Sequence, residues 1–194
     1  MIERRAFIGA LGGIGMMTSR GLAVAAPEKR RVFVLEQYFM KQGTQPARMH
    51  DYVSKAALPA LSKVHSGPKI FLDSLLAPHM PQVAVIIGFQ SVDELWSIRE
   101  KLLSDKELSK AVEEWESGSE QPYEHVSVSL LEATGYCPEL TNDREPRKTS
   151  RIFELRTYHS PTWRQLRALH ERFAGPEIKI FHRVGVHPIL YTST

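Results

Sequence analysis

The chain has one cysteine, no apolar run long enough to cross a bilayer and a net charge of only +3. Each shortage removes a class of protein. A single thiol, Cys137, cannot close an internal disulfide, so the fold must rest on its core. A membrane-spanning helix takes about 20 apolar residues. The longest apolar stretch, residues 6–17, is shorter and is broken by Gly9, Gly12, Gly13 and Gly15. The charge is also evenly spread. Residues 1–25 hold Arg4, Arg5 and Arg20 against Glu3, a net of +2, which leaves 3 − 2 = +1 for the rest. Nucleic-acid binders gather basic residues on one element, whereas here Lys29, Arg30 and Arg31 form the one short run, so no nucleic-acid partner is expected. Catalytic signatures are equally scarce. There is no serine nucleophile elbow and no phosphate-cradling glycine loop in a strand-loop-helix setting. Glu171 follows His170, but no second histidine stands four residues on, so the zinc-protease helix motif fails. The eight histidines show no convergent metal spacing, and no metal is assigned.

What is present begins at the N-terminus. Glu3-Arg4-Arg5-Ala6-Phe7-Ile8 sets an arginine pair before a mildly apolar stretch, and Ala23-Val24-Ala25 supplies a small-residue cleavage pattern ahead of Pro27. With Arg20 near the cleavage point, residues 1–25 resemble a twin-arginine export signal. The mature chain is expected outside the cytoplasm, in the periplasm or beyond, with no transmembrane helix.

The chain also repeats itself. Arg31-Val32-Phe33-Val34-Leu35-Glu36-Gln37-Tyr38 aligns with Arg151-Ile152-Phe153-Glu154-Leu155-Arg156-Thr157-Tyr158, an offset of 151 − 31 = 120. Ser66-Gly67-Pro68-Lys69-Ile70 resembles Ala174-Gly175-Pro176-Glu177-Ile178 at a second offset, 175 − 67 = 108. The first copy reads as β-α-β-β-α-β. A strand over 32–39 ends in a Lys41-Gln42-Gly43 turn, and a helix from Pro46 to His65 is expected to kink or break near Leu58 because of Pro59. Strands follow over 69–76 and 83–89. Ser91-Val92-Asp93-Glu94 is a capping box opening a helix, and Ser104-Asp105-Lys106-Glu107 is read as a second one. A fourth strand covers 125–131. The second copy reads as a strand over 152–158, a helix opened by Ser160-Pro161 and stopped by Gly175-Pro176, and a strand over 178–183. The division is therefore a signal at 1–25, a full module at 31–133, a linker at 134–150 and an incomplete module at 151–194.

Phe153-Glu154-Leu155-Arg156-Thr157-Tyr158, the tryptophan-containing helix after it, and Ile180-Phe181, Val184-Gly185 and His187-Pro188 resemble the NIPSNAP family. The resemblance is strong over 151–188 and looser over 31–131. It implies an α+β fold: a ferredoxin-like antiparallel sheet with helices on one face, of the dimeric α/β-barrel type. It also implies a homodimer or module–module pairing. It brings no catalytic residues, and the early stop of the second module suggests a truncated gene, a frameshift or an incomplete gene model.

In such folds one sheet face packs on helices and the other lines a barrel or an interface. Alternation places Phe33, Leu35, Phe153 and Leu155 on the helix side. The opposite face then holds Glu36, Tyr38, Glu154, Arg156 and Tyr158, the candidate binding residues for a small acidic or carbonyl ligand. No cofactor is required, haem being the one alternative. The expected function is a non-catalytic ligand-binding or protein-interaction module of the cell envelope. Two alternatives stand beside it: a dimeric-barrel oxygenase or isomerase acting on a small aromatic, quinone-like or haem substrate, and a non-functional remnant.

Overall fold

Eight β-favouring residues, Val32–Phe39, form β1 at the centre of an antiparallel sheet. The computed structural model describes residues 31–140 and 151–194, and the described chain falls into two units divided between Glu132 and Ala133. The signal at 1–25 and most of the expected linker lie outside the described residues.

In the first unit β1 is followed by α1 (Thr44–Tyr52), a π-helical turn (Val53–Ala57) and α2 (Leu58–Val64). Then come β2 (Lys69–Asp73), β3 (Gln82–Phe89), α3 (Val92–Leu103), α4 (Lys106–Glu116) and β4 (His125–Ala133). These four strands lie in the order β2-β3-β1-β4, all neighbours antiparallel, which is the ferredoxin-like arrangement the sequence predicts. Gly43 makes the turn into α1, where φ of 117° suits glycine alone.

Several expectations are corrected. Pro59 does not break the helix. The turn ahead of it widens instead, with the Leu58 amide donating to the Val53 carbonyl five residues back, and the wider turn accommodates the ring. Strand β2 ends at Asp73 rather than at residue 76, and β4 runs on to Ala133. Ser91 caps α3 as expected, accepting from the Glu94 amide at 3.2 Å. For α4 the cap is Asp105, whose Oδ1 accepts from the Glu107 and Leu108 amides at 3.0 Å, while Ser104 closes the preceding helix.

The larger correction concerns the faces of β1. Val32, Val34 and Tyr38 join Val83, Val85, Ile87 and Phe89 in one core with Met49, Tyr52, Leu61, Leu95, Ile98, Leu102 and Trp115. The helices therefore cover the even-numbered side, the side that carries Glu36 and Tyr38. Phe33 lies on the other side and is also 0% exposed. Alternation cannot identify the helix side of a strand that is buried on both sides, and β3 beside it is buried along its whole length.

The second unit opens with Thr134, whose amide and hydroxyl both donate to the Tyr191 carbonyl at 3.2 and 3.1 Å. It holds α5 (Trp163–Arg172), a kinked segment (Phe173–Glu177), α6 (Ile178–Arg183) and a two-residue β5 (Thr192–Ser193). Gly175 leaves helical backbone (φ −91°, ψ −111°), so Gly175-Pro176 interrupts the helix as expected, but residues 178–183 resume as a second helix and not as a strand. Residues 152–158 form no ladder with any described residue. In the first unit the matching segment is flanked by β3 and β4, and no described segment of the second unit takes their place.

These corrections reduce the two offsets to one. The π-helical turn of the first unit and the kinked segment of the second begin at positions related by 173 − 53 = 120, and the helices after them at 178 − 58 = 120. At that same offset Pro68 meets Pro188, and the end of β2, Leu72–Asp73, meets β5.

Candidate functional site

Two groups contain the five candidate residues, one in each unit. In the first unit, strand β1 directs Glu36 and Tyr38 beneath the helices, and the Tyr38 hydroxyl donates to Glu36 Oε2 at 2.6 Å. Glu36 is 2% exposed and sits between Val85 on β3 and Val128 on β4. A carboxyl so placed loses its hydration, and burial raises its pKa although the Tyr38 hydrogen bond acts against that rise. Burial, followed by the neighbouring Glu36 carboxyl, pushes the Tyr38 phenol well above its ordinary range, and Tyr52 rises for the same two reasons.

Aromatic rings surround the pair. Tyr123 meets Tyr38 edge-on with centroids 5.3 Å apart, and Trp115 stacks on Tyr52 at 4.1 Å. Trp115 Nε1 is buried without a hydrogen-bond partner. Arg48 secures this end of α4, donating to the Trp115 carbonyl at 2.5 Å and the Glu120 carbonyl at 2.7 Å. Sequence reasoning did not find Tyr52 and Tyr123. The available signal was Trp115, which shares a helical stripe with Leu108 and Val112, a pattern that denotes packing. The expectation that Glu36 and Tyr38 line an open lumen is overturned, because the helices cover them.

His65 is another buried polar side chain that ties elements together. Its Nε2 lies 2.9 Å from the Gly88 carbonyl, and its ring stacks on Phe89 at 4.8 Å. Glu94 Oε1 stands 3.6 Å from Nδ1. Burial lowers the pKa of His65 and favours the neutral ring.

In the second unit Arg156 donates to Glu154 Oε2 at 2.7 Å and approaches the Tyr158 hydroxyl at 3.5 Å. The Arg156 hydrogen bond lowers the Glu154 pKa, and the same bond raises that of Arg156. Contacts at i, i+2 spacing show that the three side chains share one face of an extended segment. That face leans on the unit's own aromatic cluster. Tyr158 meets Phe173 edge-on at 5.5 Å, and the Arg156 guanidinium lies 6.0 Å from the Phe181 ring centre. At the offset of 120 these residues correspond to Val34, Glu36 and Tyr38, which also face helices. Every residue from 152 to 159 is nevertheless exposed, Ile152 to 83%.

The remaining histidines form no centre. His170 Nδ1 is 2.9 Å from the Tyr136 hydroxyl, and the His182 and His187 rings are 5.6 Å apart. Among the described residues no three potential ligands converge for a metal ion. Cys137 is buried, and burial raises its thiol pKa, which makes it a poor nucleophile.

No family model matches the chain, and no curated protein matches it. Among solved structures it is similar to a NIPSNAP family protein from Agrobacterium tumefaciens str. C58, with a TM-score of 0.47 and 16% identity over 56% of this chain and 97% of that one. It is similar also to a NIPSNAP-like domain protein from Burkholderia xenovorans, with a TM-score of 0.47 and 16% identity over 61% and 98% of the two chains. A third, a NIPSNAP family protein of unknown function from A. tumefaciens, gives a TM-score of 0.46 and 18% identity over 57% and 94%.

Proposed function

We propose that this chain is a NIPSNAP-like protein of the cell envelope, exported by the twin-arginine route, that works by protein association. The observation that supports this is the segment 152–159: all of it is exposed, and it carries Ile152, Phe153, Leu155 and Tyr158. None of its backbone groups takes part in a ladder among the described residues. A run of β-forming residues with open hydrogen-bonding edges is a template for another strand. Hydrogen–deuterium exchange on the full chain tests this reading. Amides 152–158 should be slowed when the segment is engaged and fast on dilution. Unprotected exchange at every concentration and in envelope extracts counts against it. For the export step, Arg4→Lys with Arg5→Lys should leave the precursor in the cytoplasm.

A second reading rests on the first unit. The Trp115 indole N–H is a buried donor that lacks an acceptor among the described residues, close to two phenols and to a carboxyl whose pKa burial raises. Such an interior suits a planar aromatic ligand with acceptor oxygens, as in a barrel oxygenase or isomerase acting on a quinone-like molecule. Titration with menadione should then quench tryptophan fluorescence saturably in wild type and not in Trp115→Phe. A Soret band on adding haem would assign the site to haem instead.

A further inference from the structure

We infer that the loop joining β2 to β3, residues 74–81, is a lipid-docking tip that seats Leu75, Leu76 and Met80 in the surface layer of a bilayer. The inference lies wholly within the first unit and does not rest on the segment 152–159.

The tip is exposed, apolar and uncharged. Leu76 is 92% exposed, Leu75 73% and Met80 44%. Residues 74–81 contain no Asp, Glu, Lys or Arg. One exposed leucine is ordinary, but three large apolar side chains gathered on one short loop form a contact surface. Their arrangement favours a fluid partner. Leu75 and Leu76 are consecutive and both open, and Met80 stands on the returning limb. A rigid groove on a folded protein covers one side of such a loop, whereas lipid closes around every side.

The backbone is prepared for leaving water. Each peptide group taken into an apolar layer without a partner costs free energy. Pro78 and Pro81 have no N–H to strand. The Ser74 amide donates to the Gln82 carbonyl at 3.0 Å, and the Gln82 amide donates to the Ser74 hydroxyl at 3.0 Å. The Gln82 side chain donates to the His79 carbonyl at 2.9 Å, and the Met40 amide to the Pro81 carbonyl at 3.0 Å. His79 also meets the Phe39 ring edge-on at 5.9 Å. The base of the loop is thereby fixed to the sheet, and the tip stands clear of it.

The charges at this end of the sheet are already matched. Lys41 pairs with Glu124 at 3.0 Å, and His50 lies 2.7 Å from Asp73. These pairs leave no surplus of one sign to select anionic headgroups, so apolar contact sets the affinity.

Flotation of the full chain with phosphatidylcholine vesicles, with and without added phosphatidylglycerol, tests the inference. Wild type should float with both about equally, in low and high salt alike. Leu75→Ser with Leu76→Ser should lower the bound fraction about tenfold or more. Its urea midpoint should not move, because both side chains already face water. An environment-sensitive fluorophore on Leu76→Cys should shift to the blue with vesicles and be quenched by spin-labelled lipid. The same fluorophore on Lys101→Cys, exposed on α3, should do neither. Wild type that never floats overturns the inference and leaves the tip to a protein partner. Flotation undiminished in the double variant overturns it by placing the lipid contact elsewhere. Flotation that requires phosphatidylglycerol and vanishes in salt overturns it in favour of charge.

Discussion

Glu36 shows how one residue sets the chemistry of its surroundings. Its carboxyl has the Tyr38 hydroxyl as donor inside an otherwise apolar layer. Tyr38→Phe removes that donor from a buried acid and should cost about 1–3 kcal/mol in urea unfolding. The pH dependence follows from the raised pKa. Above its ordinary value of 4.5 the folded state still holds a proton that the unfolded chain has released. Stability from Glu36 is therefore complete below 4.5 and is lost as the pH rises through the folded-state value. Glu36→Gln should flatten that decline, which urea midpoints measured from acid to neutral pH would show. His65 has the opposite sign. Its lowered pKa makes stability fall as the pH drops below the ordinary 6.5, so the two groups confine the optimum from either side. Gly88 is constrained by space. A Cβ there would lie 2.6 Å from the Phe33 ring and 2.8 Å from Pro68 Cγ. Gly88→Ala should destabilise by about 1–3 kcal/mol through overpacking, read from the same unfolding curves.

The elements differ in how legibly they were written. Asp105 closes the first turn of α4 with two amide contacts, and Asp105→Ala should cost about 1 kcal/mol. A matched loss on Asp105→Asn would show that charge at the helix end, rather than the hydrogen bonds, is what matters. The sequence Ser104-Asp105-Lys106-Glu107 announced a cap here but not which residue provides it, because serine and aspartate both qualify and the end of α3 decides. All four strands of the first unit were readable, the first three as β-rich runs and the fourth, over 125–131, from the alternation of Val126, Val128 and Leu130 with polar residues. Three features were not. The helix side of β1 depends on which neighbours cover it, and Phe33 is as apolar as Val34. Gly175-Pro176 breaks the helix as its composition says, but nothing in the letters announces that helix, rather than strand, resumes over 178–183. The run 152–158 has the composition of a strand, but a strand is a relation between two segments, and composition describes only one. The acid–phenol pair was legible as residue types at alternating positions. Its aromatic enclosure was not, because Tyr52, Trp115 and Tyr123 come from separate elements and meet only in the fold.

At the scale of the whole molecule, the two units differ in what supports them. The main hydrophobic cluster lies entirely within residues 32–126, drawing on four strands and four helices. The second unit places one large buried side chain, Phe173, among Tyr136, Tyr158, Phe181 and Tyr191. It leaves Trp163 84% exposed. A fragment covering 31–133 should accordingly unfold cooperatively by circular dichroism, whereas 134–194 alone should melt without a sharp transition. Limited proteolysis of the full chain should cut first after residue 133. A fragment 134–194 with a cooperative melt of its own would overturn this assignment of stability.

The widened turn between α1 and α2 has a mechanical consequence. Five residues occupy a step that four would fill, so the axis is wound back by about 100° relative to an uninterrupted helix. The side chains before the step, Met49 and Tyr52, and those after it, Ala60 and Leu61, reach the same sheet only because of that phase correction. Residues 53–57 act as a spacer whose count is fixed: replacements of the exposed Ser54 and Lys55 should pass unnoticed, but removing one residue would rotate everything downstream away from its seat.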